Sequence, residues 1–218
     1  MIVDIRRIYL RDISTLRSEL DLYPDDKSLW QTVPGLSNTG GTLVLHLAGN
    51  LRHFIGAQLG GTDYVRDRAS EFSLLGLSRG RLFQEVDATH NEVAEALEQL
   101  DSIHLAEPYP LQFDGETRSV GLVLLQMSSH LAYHLGQLNY HRRVVTERAK
   151  SAGLSKFSKR LQESIRSGVI SVDQNKKEAR VVMPANEEEM TRADWLELLR
   201  VGGEAREELE RLGYTVKG

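Results

Sequence analysis

Residues 120–150 read VGLVLLQMSSHLAYHLGQLNYHRRVVTERAK, which is the most informative segment of the sequence for predicting the fold. Apolar residues recur at spacings of three and four, which predicts one long helix that begins near Ser119. His130 and His134 are one helical turn apart and about 40° apart around the axis, so they share a face. Leu131 and Leu138 lie beside them, and we therefore expect this face to point into a helical core.

Three further segments have the same helical periodicity. They are, in chain order, Ile2–Tyr23, the mostly apolar run that Thr42 caps and Gly60-Gly61 ends, and the amphipathic run from Leu82 to Leu100. Residues 24–41 and 62–79 are polar, irregular connections, and a third piece that contains Pro108, Pro110 and Gly115 is rich in turn formers. The pattern predicts an all-α fold, an up-down four-helix bundle over residues 1–150.

The remaining residues, 151–218, have a different pattern. A basic stretch precedes two short β-type runs, Val169–Val172 and Ala179–Met183, which flank a polar turn as in a hairpin. Thr191 is the predicted N-cap of a last helix, Ala193–Leu212, which Gly202-Gly203 interrupts. This extension has few large apolar side chains and would be marginal on its own. We therefore expect it to dock on the bundle or on a second subunit.

The composition excludes several classes of protein. Of the 218 residues, 40% are hydrophobic and 27% are charged, the net charge is −4, and Cys is absent. Without Cys there are no disulfides, cysteine-zinc sites, iron–sulfur clusters or cysteine nucleophiles. The mixed charges give no nucleic-acid footprint, no apolar run is long enough for a membrane span, and the charged N-terminus is unlike a signal peptide. We expect a cytoplasmic protein that binds neither nucleic acid nor a membrane.

The histidines are the candidate chemical groups. Two imidazoles at i and i+4 are a common way for a helix to offer two nitrogen ligands to a metal ion, and His46 can supply a third if its helix is a neighbour. Three neutral imidazoles leave a divalent ion with open positions, as in catalytic sites, and imidazole suits zinc, nickel and iron alike. A lone histidine on an apolar face is more often an ordinary core residue, but burying three without a purpose would be costly. His53 and His141 are weaker ligand candidates, because they lie about one turn or more beyond the others and are as consistent with rim or supporting positions.

The motif HLAYHLGQL from His130 resembles the signature of the DinB-like, YfiT-like family of metal-binding four-helix bundles. The sequence HLAGNLRHFIG from His46, preceded by WQTVPGLSNT, resembles the same family. The resemblance covers about residues 1–145 and leaves the extension without a counterpart. By position it implies a metal triad of His46, His130 and His134.

The resemblance also implies an activity, because the family contains transferases and isomerases that use low-molecular-weight thiols such as bacillithiol or mycothiol. A divalent metal ion (Zn, Ni or Fe) would bind the external thiol, lower its pKa and present a thiolate to a small-molecule substrate. We expect Asn50 and Gln137 to bind the thiol cofactor or substrate, although they are equally interpretable as polar residues at the bundle edge. Arg142 is a candidate to bind a carboxylate or phosphate on the cofactor or substrate, although such residues are more often solvated or paired with an acidic neighbour. The residue after His130 is Leu131, so the glutamate of an H-E-x-x-H site is missing, which disfavours protease-like hydrolysis.

Two functions remain open at this point. The first is a metal-dependent thiol transferase of the bacillithiol, mycothiol or glutathione type. The second is a non-enzymatic, stress-associated dimeric bundle whose metal site is structural or vestigial and whose extension, with its acidic segment at residues 187–210, binds a protein partner. We expect a homodimer in either case.

Overall fold

The computed structural model describes residues 1–154, 157–182 and 192–217. Contacts between Cα atoms divide the chain into two compact units, Met1–Glu147 and Arg148–Gly218. In the described residues, none of the helices has both the length and the apolar character needed to cross a membrane.

Helices dominate the first unit. In chain order they are α1 (Ile2–Asp21), α2 (Asp26–Leu29), α3 (Gly40–Leu51), α4 (Gln58–Gly60), α5 (Arg68–Ser73), α6 (Arg79–Glu98) and α7 (Val120–Leu154). A π-helical segment, Arg52–Ala57, joins α3 to α4, and a 3-10 turn, His104–Ala106, follows α6. The four longer helices share one apolar core, to which each contributes fully buried side chains such as Ile13, Leu47, Val93 and Leu131.

Helices α1 and α6 run in opposite directions. Arg6, near the start of α1, pairs with Glu98 at the end of α6, and Arg17, near the end of α1, pairs with Asp87 in the first half of α6. These ion pairs lie at the surface, where water screens the charges and each pair contributes little to stability. The buried apolar faces therefore hold the two helices together, and the ion pairs mark their register.

Helices α1 and α7 run in the same direction. The Tyr9 hydroxyl donates to the carbonyl oxygen of Leu124 (2.5 Å), and the Tyr23 hydroxyl, just after α1, lies 3.4 Å from the carbonyl oxygen of Leu138. In each pair the two partners are 115 residues apart in the chain, so the two segments run parallel and in register. Burial raises the pKa of both tyrosines, which keeps their hydroxyl groups protonated as donors.

The segment from α3 to α4 runs in the same direction as α6. Gly56 lies against Glu92, and four residues later Gly60 lies against Ala96, where an added Cβ would come 2.7 Å from the alanine methyl carbon. The four longer helices therefore point up, down, down and up, which differs from the alternating order that the sequence predicts. Parallel neighbours require a connection that returns along their length, and residues 61–78 provide it.

A small antiparallel sheet lies between α6 and α7, so the all-α prediction is wrong for this segment. Its strands are β1 (Pro108–Phe113) and β2 (Glu116–Ser119). Asp114 and Gly115 join them, and both have positive φ, as a two-residue hairpin turn requires. Pro108 and Pro110 favour a prediction of turns over strands here. Proline is nevertheless tolerated in a strand that has a free edge, and both strands of a two-stranded sheet have one.

Two connections that the sequence predicts as irregular each contain a short helix. Asp25 caps α2, and Asp67 caps α5 by accepting a hydrogen bond from the Ser70 backbone N–H (3.1 Å). The apolar helix α3 also begins earlier than predicted, because Thr39 is its N-cap and accepts from the backbone N–H of Thr42. Helices this short leave no periodic pattern, so only their caps are visible in the sequence.

The second unit has a small core of its own. Its elements are α8 (Lys159–Arg166), β3 (Ile170–Asp173), β4 (Glu178–Val181), α9 (Arg192–Arg211) and β5 (Thr215–Lys217). The predicted hairpin and last helix are confirmed, but β5 adds a third strand parallel to β4, and α9 continues through Gly202 and Gly203. Met183 and the predicted cap Thr191 lie outside the described residues. The docking of this extension stays a prediction.

Candidate metal centre

Three histidines from α3 and α7 meet in the first unit. His46 Nε2 lies 3.1 Å from His130 Nε2, and the ring centroid of His134 lies 5.0 Å from that of His46 and 4.4 Å from that of His130. One nitrogen from each ring lies within 4.8 Å of the other two. The structure thus brings together all three residues that the sequence predicts as metal ligands.

The helices explain this meeting. The i and i+4 spacing places His130 and His134 one turn apart on α7. Every residue of α3 is buried, because its side chains are small or apolar on all sides, and His46 therefore faces a neighbouring helix instead of water. The cluster combines one buried and two half-buried imidazoles.

The Nδ1 atoms of two rings have hydrogen-bond partners, so the Nε2 atoms of these rings are the ones available to a metal ion. His46 Nδ1 donates to Glu71 Oε2 (2.9 Å), and His134 Nδ1 donates to Gln137 Oε1 (2.7 Å). A neutral imidazole has one N–H, so both Nε2 atoms keep their lone pairs. His130 Nδ1 is buried, and no residue in the described part of the chain forms a hydrogen bond with it.

Glu71 is the residue of this site that sequence reasoning missed. It lies on α5, is only 5% exposed, and accepts two hydrogen bonds from Arg66, at 2.6 Å to Oε1 and 2.9 Å to Oε2. The segment 62–79 looks like a polar connection because α5 has six residues and no apolar period. The available signal is Asp67 followed three residues later by Ser70, a capping pattern that places Glu71 in the first turn of a helix.

Gly49 makes room for Glu71 on the surface of α3. A Cβ atom at Gly49 would clash with Glu71 Oε1 and would lie 2.9 Å from Glu71 Cδ, well inside van der Waals contact. The glycine lies one turn after His46, so the carboxylate can lie flat against α3 and reach the imidazole. The spacing of His46 and Gly49 is therefore part of the site.

The protonation states favour metal binding at neutral pH. Burial, with the neighbouring His134 and His46, lowers the pKa of His130 to about 4. Burial also lowers the pKa of His134. For Glu71, burial raises the pKa, but the hydrogen bonds from His46 and Arg66 together outweigh it, and the net pKa lies below the usual value. The site therefore combines two imidazoles, His130 and His134, that are neutral at pH 7 with an ionised carboxylate.

The donor set fits a divalent transition metal ion. In a tetrahedral zinc site with Zn–N bonds of about 2.05 Å, the ligand nitrogens are about 3.3 Å apart. The Nε2 atoms of His46 and His130, 3.1 Å apart, are close to that separation. Imidazole nitrogens suit zinc, nickel and iron, so the three histidines could hold any of these ions.

The three predicted cofactor-binding residues lie in different places. Gln137 supports His134, as described above. Asn50 is buried, and its Oδ1 has no hydrogen-bond partner among the described residues. Arg142 forms an ion pair with Glu19 (2.6 Å) between α7 and α1. The structure therefore places Gln137 beside a ligand and Arg142 in an interhelical ion pair, and their role in cofactor binding stays a prediction.

His141 and Gly136 of α7 lie outside the three-histidine cluster. His141 is fully buried, with Nδ1 2.9 Å from the Tyr23 hydroxyl and Nε2 2.8 Å from the Gln31 carbonyl oxygen. It joins α7 to the connection after α1 and does not belong to the three-histidine cluster. Gly136 of α7 is exposed, and an added Cβ would meet no described atom within 4 Å.

Two exposed aromatic rings flank the cluster. The Phe72 ring lies 5.1 Å from the His46 ring, and the Tyr133 ring lies 5.1 Å from the His134 ring, measured between centroids. Phe72 is 40% exposed and Tyr133 is 64% exposed. They provide apolar surface at the outer side of the ligand rings.

The fold and the site define a class: mostly helical proteins in which a three-histidine cluster between helices can hold a divalent metal ion. The family model of the DinB superfamily matches residues 9–138, a range that covers more than half of the chain and contains all three histidines. The chain belongs to the DinB superfamily, which confirms the DinB-like resemblance of the sequence. A search of curated proteins finds no match to it.

Proposed function

We propose that this protein is a divalent-metal-dependent transferase that joins the sulfur of an external low-molecular-weight thiol, of the bacillithiol, mycothiol or glutathione type, to a small-molecule electrophile. The observation that carries the proposal is the convergence of His46, His130 and His134, with Nε2 free for coordination in two of them. A divalent ion held there would lower the pKa of a bound thiol and make its thiolate available at neutral pH.

The residues of this chain support that role in several ways. The three imidazoles provide neutral donors, and among the described residues the candidate ligand group has three members, which leaves open positions for a thiol and a substrate. Both carboxylate oxygens of Glu71 are already hydrogen bonded, so this residue does not compete as a fourth ligand. Phe72 and Tyr133 lie against the rings of His46 and His134 and offer apolar surface to a substrate. The nucleophile comes with the thiol, which agrees with a chain that has no Cys.

Metal analysis of the protein purified without a histidine tag tests the first half of the proposal. We expect close to one divalent ion per chain in the wild type and none in the double variant His130→Ala, His134→Ala. His53→Ala is the matched control, since His53 lies outside the cluster, and it should keep the ion. A double variant that retains its metal would place the site elsewhere.

Cobalt substitution tests the thiol. Addition of bacillithiol, mycothiol or glutathione to the Co²⁺-loaded protein should produce a sulfur-to-cobalt charge-transfer band, which the double variant should lack. If none of the thiols produces the band and chelation lowers the melting temperature greatly, the metal is structural and the transferase proposal fails.

We also propose that the protein forms a homodimer. The support is an exposed apolar face on α7, which carries Leu122, Leu125, Tyr133 and Tyr140 at exposures of 45% to 67%. Several large apolar side chains exposed on one helix commonly mark a protein–protein contact. Light scattering should give twice the chain mass for the wild type and the chain mass for Leu125→Glu, whereas a monomeric wild type would refute the dimer.

A further inference from the structure

We propose that Glu71, held by Arg66, is a positioning residue that fixes the proton and the orientation of His46 and thereby sets the affinity of the site for metal. The inference rests on the proposed metal site and concerns an acidic residue outside the histidine triad. Its basis is a chain of three buried or nearly buried groups, in which Arg66 donates to Glu71 and Glu71 accepts from His46.

The first step is the choice of tautomer. His46 Nδ1 lies 2.9 Å from Glu71 Oε2, and an ionised carboxylate can only accept. Arg66 Nη2 also lies near His46 Nδ1, but at 3.5 Å it is farther away than the carboxylate oxygen. When the ring has a single proton, the closer carboxylate therefore places that proton on Nδ1 and leaves the lone pair on Nε2. His46 Nε2 is the atom that faces His130 Nε2. The carboxylate therefore leaves the lone pair of this nitrogen available to a metal ion before the ion binds.

The second step is the restraint on Glu71 itself. Arg66 Nε donates to Oε1 and Arg66 Nη2 donates to Oε2, so the guanidinium engages both oxygens in the two-point geometry favoured by arginine and carboxylate. The carboxylate is then held in the outer layer of the site. It polarises His46 and does not become a ligand.

The third step is the difference between the three ligands. His46 donates to a carboxylate, His134 donates to the neutral amide oxygen of Gln137, and His130 Nδ1 has no partner among the described residues. An ionised acceptor raises the basicity of a ligand imidazole more than an amide does. His46 is therefore the strongest metal ligand of the three. We expect the loss of Glu71 to weaken metal binding more than the loss of Gln137 does.

Zinc affinity, measured by competition with a chromophoric chelator, tests the role of Glu71. Glu71→Gln keeps the shape of the side chain and removes its charge, and we expect it to bind zinc 10-fold to 100-fold more weakly than the wild type. Gln137→Ala should lose less. Glu85→Gln is the matched control because Glu85, on α6, pairs with Arg52 and Arg81 instead of a ligand histidine, and the zinc affinity of this variant should stay within twofold of the wild type.

A second measurement does not depend on a variant that folds. Long-range ¹H–¹⁵N correlation spectra of the zinc-loaded wild type should show His46 protonated at Nδ1 and metal-bound at Nε2. The opposite tautomer, or an unchanged zinc affinity in a folded Glu71→Gln, overturns the role of Glu71. A wild type that binds no zinc, nickel or iron instead refutes the metal site on which this role depends, so the two failures are distinguishable.

Discussion

Gly49→Ala is the sharpest test of how the site is built. Alanine in a helix interior is ordinarily more favourable than glycine by about 1 kcal/mol. Here the added Cβ would clash with Glu71 Oε1 and lie 2.9 Å from Glu71 Cδ, so the carboxylate must leave its place against α3. Breaking a buried ion pair such as that of Glu71 with Arg66 costs about 3–5 kcal/mol. The net loss should be about 2–4 kcal/mol, which for a chain of this size lowers the melting temperature by roughly 5 to 15 °C.

Urea denaturation of the metal-free protein measures the loss, and chelator competition measures the accompanying fall in zinc affinity, which should be roughly 10-fold or more because His46 loses its acceptor. Gly136→Ala is the matched control: it also lies within a helix, but an added Cβ meets no described atom within 4 Å, so this variant should be as stable as the wild type or about 1 kcal/mol more stable. If Gly49→Ala is as stable as Gly136→Ala and binds zinc as tightly as the wild type, the proposed packing of Glu71 against α3 is wrong.

Three further predictions follow from contacts in the first unit. Tyr23→Phe should lower the free energy of unfolding by about 1–3 kcal/mol, because His141 Nδ1 loses a buried partner at 2.9 Å, and urea denaturation would measure it. The pKa of His130 is lowered to about 4 in the folded protein, so between about pH 6.5 and 4 the unfolded chain binds a proton that the folded chain does not. The free energy of unfolding of the metal-free protein should therefore fall as the pH falls through this window. His130→Gln should reduce the slope of stability against pH. Gly41→Ala should be destabilising and should change the fluorescence of Trp30, because an added Cβ would lie 2.5 Å from the indole ring, whereas unchanged stability and emission would contradict this packing.

The sequence predicts the histidine cluster because helical periodicity is a strong signal in long segments. The i and i+4 spacing of His130 and His134 fixes their common face, and the apolar surroundings of His46 place it in the core, so three residues on two helices suffice to locate the centre. The supporting residues are less accessible to this reasoning. Glu71 lies on a helix of six residues, too short for a periodic pattern, and its contact with His46 spans 25 residues of chain.

The helix directions were harder to predict than the helices themselves. Periodicity says which face of a helix is buried but not in which direction the helix runs, and a connection of 18 residues between Gly60 and Arg79 permits either direction. The positions of Gly60 against Ala96 and of Tyr9 against Leu124 settle it, and both are contacts between distant segments. The hairpin at Asp114-Gly115 depends instead on a local signal, because its two turn residues are adjacent in the sequence.

The parallel pairing of α1 with α7 has a consequence for synthesis. The chain emerges from the ribosome N-terminus first, and the carbonyl groups that accept from Tyr9 and Tyr23 belong to residues made 115 positions later. Until then, the core that buries Ile13, Leu16 and Leu20 of α1 lacks the side chains that α7 contributes to it. A nascent chain that stops short of Leu138 therefore exposes an apolar helix surface, which is the kind of surface that chaperones bind and that aggregates when unprotected.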